Sequence, residues 1–356
     1  MDTKSQRIVS PIDGAWSTTQ IMASLAKALV SDGPALGFGA VTSTEVEAKT
    51  AVLVTSTGST GANKEISLSA GALLASAKAS NKFLSANYGE TWSLLLPLTH
   101  IAAVNVLVRS LELGTIPVNL IGHDGEYPHV DYTAIVPTQL YNALNGDDRL
   151  LKHLQSAKAV LVGGAALTSE LHIQATNAGI SVVTTYGMSE TSGGCVYNGL
   201  PLEGVQLAIT DLGFIKVLGP VLASNLDLDS QNWFVTSDRG ELVDGHLIVL
   251  GRGDDVIISG GENISLIEIE NAISQSFANF EFAAFAVSSQ KWGQELHIAA
   301  VNAPAEFPGQ VAMLLVEKFG NSAKPKRFHR LSALPLIGIG KVDRAALAQL
   351  AMKSEF

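Results

Sequence analysis

Between residues 51 and 184, short apolar runs alternate with helix-length segments, and this alternation constrains the fold more than any other feature of the sequence. The runs are 51–55 (AVLVT), 93–98 (SLLLPL), 115–121, 133–136, 158–162 (KAVLV) and 180–184 (ISVVT). Helical spacing is predicted over 67–86, opening at a Ser cap, and over 100–113, 137–145 and 168–178. Strands separated by crossover helices pair in parallel, so a largely parallel sheet is expected. A further helix is predicted over 20–30 (QIMASLAKALV).

The texture changes after about residue 195. Residues 202–250 carry Gly and Asp turns with short β-like runs, which predicts a small antiparallel β region. The polar, Gly-rich segment 251–255 (GRGDD) suits a hinge. Beyond it lie an amphipathic helix over 264–276, strands over 281–288 and 296–301, and a helix over 307–319. The expected organisation is a large α/β domain over 1–252, a hinge over 253–255 and an α+β domain over 256–356. A length of 356 residues suits two domains at ~150 residues each.

Composition narrows the function classes. Apolar residues make up 47% and charged residues 16%, enough to build a core and too apolar for a disordered chain. A net charge of −10 argues against a general nucleic-acid binder or a polybasic membrane anchor. The single cysteine, Cys195, excludes an intramolecular disulfide and a cysteine-rich zinc site. Residues 1–20 lack the apolar stretch of a secretory leader, and no run reaches the ~18 apolar residues of a membrane span. A cytoplasmic protein is the expectation.

The run 51–55 leads into Ser56-Thr57-Gly58-Ser59-Thr60-Gly61-Ala62-Asn63-Lys64. Glycines let a backbone approach an anion, hydroxyls donate hydrogen bonds and Lys64 adds positive charge. Lys64 follows Asn and precedes Glu65, so this is not a Walker loop. By itself the segment reads first as a flexible surface loop. Other motifs follow in order: Tyr186-Gly187-Met188-Ser189-Glu190-Thr191, Thr236-Ser237-Asp238, Gly251-Arg252-Gly253-Asp254-Asp255, Ser259-Gly260-Gly261-Glu262-Asn263 and Gly340-Lys341-Val342-Asp343-Arg344.

This ordered set, spread over residues 51–350, resembles the adenylate-forming superfamily of acyl-CoA synthetases, peptide-synthetase adenylation domains and luciferases. Leu96-Pro97-Leu98-Thr99-His100, Val108-Arg109-Ser110-Leu111 and Val136-Pro137-Thr138-Gln139-Leu140 are similar to the o-succinylbenzoate–CoA ligases of menaquinone biosynthesis. The resemblance implies ATP, Mg²⁺ and coenzyme A as ligands. It implies that Thr57, Gly58, Ser59, Thr60, Gly61 and Lys64 hold phosphates, that Ser189 bonds a phosphate oxygen, and that Glu190 ligates Mg²⁺. Tyr186 and Gly187 would lie beside adenine, Gly164 and Ala165 would line the adenine and acyl pocket, and Asp238 and Arg252 would reach the ribose. Lys341 would offset charge at the α-phosphate, and Asp254 would be the hinge.

o-Succinylbenzoate carries a second carboxylate, and Arg109 stands in an apolar helix. It pairs with that carboxylate, or it snorkels to the surface or pairs with Glu112 at i+3. His100, Gly187 and Thr191 are implied to line the acyl pocket, His100 reading alternatively as a core histidine. Several features depart from the family pattern. Glu65 stands where Gly normally follows the loop lysine, which puts an anion near phosphate. Only about 55 residues precede the loop, so the N-terminal region is a compact version whose exposed apolar surface a homodimer would cover. Other readings on the same scaffold are a different aryl- or acyl-CoA ligase, a carrier-protein adenylation domain, or a nucleotide binder without turnover.

Overall fold

The computed structural model describes residues 6–57, 63–259, 262–277, 280–289, 291–337 and 341–353. Contacts divide the chain into two compact units. Unit 1 holds residues up to 208 with 216–235 and 242–247; unit 2 holds 209–215, 236–241 and 248 onward.

Unit 1 begins with a five-stranded sheet of order β3-β1-β2-β4-β5. Its strands are β1 (Gln6–Pro11), β2 (Ala35–Phe38), β3 (Glu45–Glu47), β4 (Thr50–Thr57) and β5 (Asn63–Ser69). The pairs β1–β2 and β2–β4 are parallel, and β4–β5 and β1–β3 are antiparallel. Helix α1 (Thr18–Leu29) starts in a capping box between Ser17 and Gln20 and buries Ile21, Met22, Leu25 and Ala28. One buried cation ties this corner together. The Arg7 guanidinium donates to Gly33 O at 2.8 Å, Thr50 O at 2.9 Å and Ala28 O at 2.9 Å. Burial holds its pKa below the ordinary arginine value.

The helix predicted to open at 67 begins later. Residues 63–69 form β5 instead, with Ile66 and Leu68 buried on one face and Glu65 and Ser67 alternating onto the other, the period of a strand. Helix α2 (Ala70–Phe83) follows, capped by Ser69, whose side chain accepts from Ala72 N at 3.1 Å.

The second sheet of unit 1 has seven strands in the order β12-β11-β10-β9-β8-β6-β7. These are β6 (Trp92–Leu94), β7 (Val118–Asn119), β8 (Tyr132–Ile135), β9 (Ala159–Val162), β10 (Val182–Met188), β11 (Gly193–Tyr197) and β12 (Leu200–Pro201). Strands β7, β6, β8, β9 and β10 are parallel, as the βα alternation requires, and β11 and β12 add on antiparallel. Helix α3 (Ile101–Glu112) packs on one face with α2 beside it. Every residue of α3 from Ala103 to Ser110 is buried, because α2, β6, β8 and β11 surround the helix. Helices α4 (Pro137–Leu144), α5 (Asp148–Ser156) and α6 (Ser169–Asn177) build a separate core around Ile135, Leu140, Leu154, Val160 and Val162.

Strands β13 (Gln206–Ile209), β14 (Phe214–Leu218), β15 (Phe234–Val243) and β16 (His246–Arg252) form a four-stranded sheet whose residues are shared between the two units. Unit 2 continues with β17 (Val256–Ser259), β18 (Glu262–Ser265), α7 (Leu266–Ser276), β19 (Phe282–Ser289), β20 (Gly293–Val301), α8 (Phe307–Phe319) and β21 (Arg327–Leu331). A short ribbon, β22 (Leu336–Ile337) with β23 (Lys341–Val342), and helix α9 (Arg344–Lys353) complete it. The sheet order is β18-β17-β20-β19, with β21 parallel to β20. Its core joins Ile257, Leu266, Ile269, Ile273, Leu296, Ile298, Phe307 and Leu315. Among the described residues, no helix is long and apolar enough to cross a membrane.

Candidate active site

The C-terminal ends of the parallel strands in the seven-stranded sheet carry most of the singled-out residues of unit 1. The loop after β6 reaches His100, the turn after β9 holds Gly164 and Ala165, and β10 carries Tyr186 and Gly187 into the 3₁₀ turn Ser189–Thr191. Open α/β sheets place ligands at this edge, outside the carboxyl ends of their strands.

The turn 189–191 is held from below. Thr191 is fully buried, and its hydroxyl donates to Gly193 O at 2.7 Å while accepting from Met188 N at 3.0 Å. Ser192 adopts a left-handed conformation at φ 52°, and its carbonyl accepts from Ser76 Oγ at 3.1 Å and Asn105 Nδ2 at 2.8 Å. Glycine is obligatory at two neighbours. A Cβ on Gly187 would lie 2.0 Å from Gly193 O, and one on Gly193, at φ +89°, would lie 1.9 Å from Asn105 Nδ2. The hydroxyl of Thr191 is thereby committed to the main chain, while Ser189 and Glu190 remain half-buried at the rim.

Segment 221–225 joins this turn to the β4–β5 hairpin. Ser192 Oγ donates to Val221 O at 2.7 Å, and Ala223 N donates to Glu190 O at 2.9 Å. Ser224 N then donates to Ser67 O at 2.8 Å. Asn225 accepts from Ser67 N at 2.9 Å and donates to Glu65 O at 2.9 Å. The hairpin and the Glu190 turn thus hang on one support. Gly58, Ser59, Thr60 and Gly61 lie outside the described residues, as does the side chain of Thr57; Lys64 is exposed on β5.

The side chain of Glu65 is tied to Thr42 and Ser43. Its carboxylate accepts from Thr42 Oγ1 at 2.9 Å, from Ser43 N at 3.2 Å, and from Thr42 N and Ser43 Oγ. Burial alone would raise its pKa, but the Ser43 and Thr42 donors outweigh it and hold the carboxyl below the ordinary value. The Glu65 carboxylate is thus committed to these four donors.

Arg109 is buried, 3% exposed, so it neither snorkels to solvent nor pairs with Glu112, whose carboxylate lies 3.9 Å from Lys78 Nζ. Its Nη2 donates to Tyr197 Oη at 2.8 Å, its guanidinium lies 5.1 Å from the centre of the Trp92 ring, and its Nε has no partner. Tyr197 Oη is also 2.9 Å from Ser80 Oγ. His100 precedes α3 and is half-buried, and burial lowers its pKa. Cys195 is fully buried, and desolvation pushes its thiol up to about 11, so it is no nucleophile.

Unit 2 carries the remaining residues. Asp238 is on β15, Arg252 ends β16 and Asp254 sits in the 3₁₀ turn Gly253–Asp255. The main chain of Lys341 pairs with Ile337; its side chain, like that of Asp254, lies outside the described residues. Sequence reasoning missed Asn105, Ser76, Ser192 and the 221–225 segment, which build the support. Only Asn105 gave a signal, as the polar residue in the apolar run IAAVNVLV.

The doubly wound sheet, with the Ser-Glu turn at its carboxyl edge and the β4–β5 hairpin tied to that turn, gives the chain the fold of the adenylate-forming enzymes. The chain belongs to the AMP-binding enzyme family, whose model matches residues 4–215, and within it to the 2-succinylbenzoate–CoA ligases, which are AMP-forming acid–thiol ligases. A probable 2-succinylbenzoate–CoA ligase of Mycobacterium tuberculosis is 36% identical over 330 residues, 86% of this chain and 85% of that protein. The 2-succinylbenzoate–CoA ligase of Lactococcus lactis is 28% identical over 84% of this chain and 71% of its own length. The o-succinylbenzoate CoA synthetase of Bacillus subtilis, solved with an acyl-adenylate intermediate, shares the fold at TM-score 0.74 and 24% identity, over 95% of this chain and 82% of that one. MatB of Rhodopseudomonas palustris, solved with ATP, shares it at TM-score 0.77 and 18% identity, over 97% of this chain and 84% of that one.

Proposed function

We propose that this chain activates the aliphatic carboxyl of 2-succinylbenzoate with ATP and passes the acyl group to coenzyme A, in the cytoplasm, as a step of menaquinone biosynthesis. The observation that carries this reading is the shared support of segment 221–225, which bonds both the phosphate hairpin and the turn bearing Glu190.

The hydroxyls and amides of 57–61 and the ammonium of Lys64 cradle the triphosphate. Ser189 donates to a phosphate oxygen. Ser189 and Glu190 offer hard oxygen donors that fit Mg²⁺, and among the described residues no cluster of three or more His, Cys, Asp or Glu competes for an ion. Mg²⁺, when bound, offsets the charge of the phosphates. Tyr186 packs on adenine, Gly164 and Ala165 line its pocket, and Asp238 and Arg252 take the ribose hydroxyls. His100, Gly187 and Thr191 shape the acyl end, Thr191 through the turn that its hydroxyl fixes. The buried Arg109, with Nε in reserve, meets the ring carboxylate directly or through water.

The substrate carboxylate attacks the α-phosphorus and pyrophosphate leaves. Lys341 offsets the negative charge that builds between carboxylate and α-phosphate. The coenzyme A thiol, losing its proton, then attacks the acyl carbonyl and AMP leaves. In this reading residues 1–252 and 256–356 act as two domains that turn about Asp254. Lys341 serves the first step and the 259–263 loop the second, and closure keeps water from the acyl-adenylate. A homodimer is part of the proposal, and sedimentation reads it.

Pyrophosphate release from MgATP and 2-succinylbenzoate, with and without coenzyme A, tests the whole. Release that needs this acid and disappears in Lys341→Ala, with thioester formed when coenzyme A is present, is the expected result. Release with other acids alone would keep the chemistry and discard the substrate.

A further inference from the structure

The ribbon that carries Lys341 is too small to hold its own position. Among the described residues it has two register pairs, Leu336 with Val342 and Ile337 with Lys341, and a two-stranded ribbon of that length is not stable alone. Asp343 N adds one bond to Pro335 O at 2.8 Å. Val342 packs against the core of Ala283, Phe285 and Leu347, and the directional polar tie from the ribbon to the rest of unit 2 is made by the residue that opens α9. Arg344 Nε donates to Ala284 O on β19 at 2.9 Å, Nη2 lies 2.8 Å from Glu270 Oε2 on α7, and Nη1 lies 3.2 Å from Asp255 Oδ1. The other oxygen of Glu270 accepts from Ala284 N at 2.8 Å. Arg344 and Glu270 thus clasp both polar groups of one peptide residue, and Arg344 alone reaches the turn Gly253–Asp255.

Three elements distant in sequence converge on this planar fork: the hinge turn, α7 with β19, and the lysine ribbon. Lysine has one ammonium and could not span three acceptors in fixed directions. The hinge side of the clasp is packed as tightly. A Cβ on Gly253 would lie 2.4 Å from the Phe214 ring and 3.3 Å from Ser237 O. Gly253 thus packs directly against Phe214 and β15 at the start of the turn.

We propose that Arg344 is a positioning residue for Lys341. It locks the lysine ribbon to Asp255, so hinge turn and lysine move as one rigid piece and a turn about residue 254 carries the ammonium through a fixed arc. This rests on the reading of Lys341 as the adenylation lysine and of Asp254 as the hinge. Arg344 touches no reacting atom. Its effect falls on the first half-reaction, which needs Lys341, and spares the second, which in that reading uses the 259–263 face.

The test measures the half-reactions separately in the full chain. The first is pyrophosphate release from MgATP and 2-succinylbenzoate without coenzyme A. The second is thioester formation from the synthetic acyl-adenylate and coenzyme A. In Arg344→Gln the first is expected to slow by about 10–100-fold in kcat, the cost of misplacing a catalytic group by about 1 Å, with KM for ATP within about twofold. The second is expected to stay within about threefold of wild type. Arg344→Lys should recover part of the loss. Asp255→Asn, which leaves the Arg344–Glu270 pair in place, should show the same split at smaller size even if Arg344→Gln folds poorly. Equal slowing of both half-reactions in Asp255→Asn, or no slowing of the first in either variant, overturns the proposal. Lys341→Ala separates the two layers: if it retains pyrophosphate release, the reading of Lys341 fails and this proposal fails with it, whereas its loss of release beside an unsplit Asp255→Asn sinks the Arg344 role alone.

Discussion

The two ends of the seven-stranded sheet solve opposite problems. At the N-terminal end, Glu90 and Thr91 precede β6, Asp131 precedes β8 and Lys158 precedes β9. Lys158 Nζ lies 2.5 Å from Glu90 and 2.9 Å from Asp131. Tyr132 Oη donates to Glu90 at 2.7 Å, and Thr91 N donates to Asp131 at 2.8 Å. Just inside, Ser93 Oγ lies 2.7 Å from Thr133 Oγ1 and 2.9 Å from His153 Nε2, all three residues being buried. The C-terminal end carries half-buried Ser189 and Glu190 on a turn whose bonds run downward into the protein. Polar groups that find their partners inside the chain stabilise it. Groups held rigid with capacity left over are fit to take a ligand.

The sharpest break of that contrast is at Glu190. Glu190→Gln should lower pyrophosphate release by about 10²–10³-fold, as loss of a preorganised charge at a reacting centre does, while the thermal midpoint stays put. A fall in stability with unchanged release would put Glu190 on the structural side. Next comes Arg109→Ala. The loss of a charged hydrogen bond, about 1.5–3 kcal/mol, should raise KM for 2-succinylbenzoate by roughly 10–150-fold and leave KM for ATP alone. An equal rise for both substrates removes Arg109 from the acyl pocket.

At the opposite end the effects move to stability. Glu90→Gln should cost about 1–2 kcal/mol in urea unfolding, with kcat per folded molecule unchanged. The hydrogen bonds from Lys158 and Asn87 N hold the Glu90 carboxyl down to about 2, against an ordinary 4.5. Its contribution is therefore complete above 4.5 and is lost as pH falls toward about 2, so acid unfolding of the variant should be flatter over that window. The smallest effect is at His153, whose pKa burial holds below the ordinary 6.5. The unfolded chain takes up the proton first, so stability should fall as pH drops through 6.5, and His153→Gln should lessen that slope. A slope identical to wild type would show that His153 does not titrate with folding.

Much of the ligand end was legible in the sequence. Helices expected over 100–113, 137–145 and 307–319 appear as 101–112, 137–144 and 307–319, because their apolar periods are long and their ends marked. The β5 arm was misread because its small Ser-rich continuation suits a helix, and the alternation of Ile66 and Leu68 spans too few residues to outweigh that. Helix α5 went unread although Leu150, His153 and Leu154 share its inner face. The Glu190 turn could be found from its motif. Its support could not, since Asn225 meets the main chain of residues 65 and 67 across some 160 positions, and no local pattern encodes such a meeting.

The Arg7 corner has a consequence in time. All five strands of the first sheet lie within residues 6–69, and the three carbonyls that Arg7 gathers come from residues 28, 33 and 50. A chain made from its N-terminus onward therefore has every partner for this buried charge in hand before the first strand of the larger sheet has been translated. The wall that carries the β4–β5 hairpin can close early, and the carboxyl edge of the larger sheet assembles against a surface already in place.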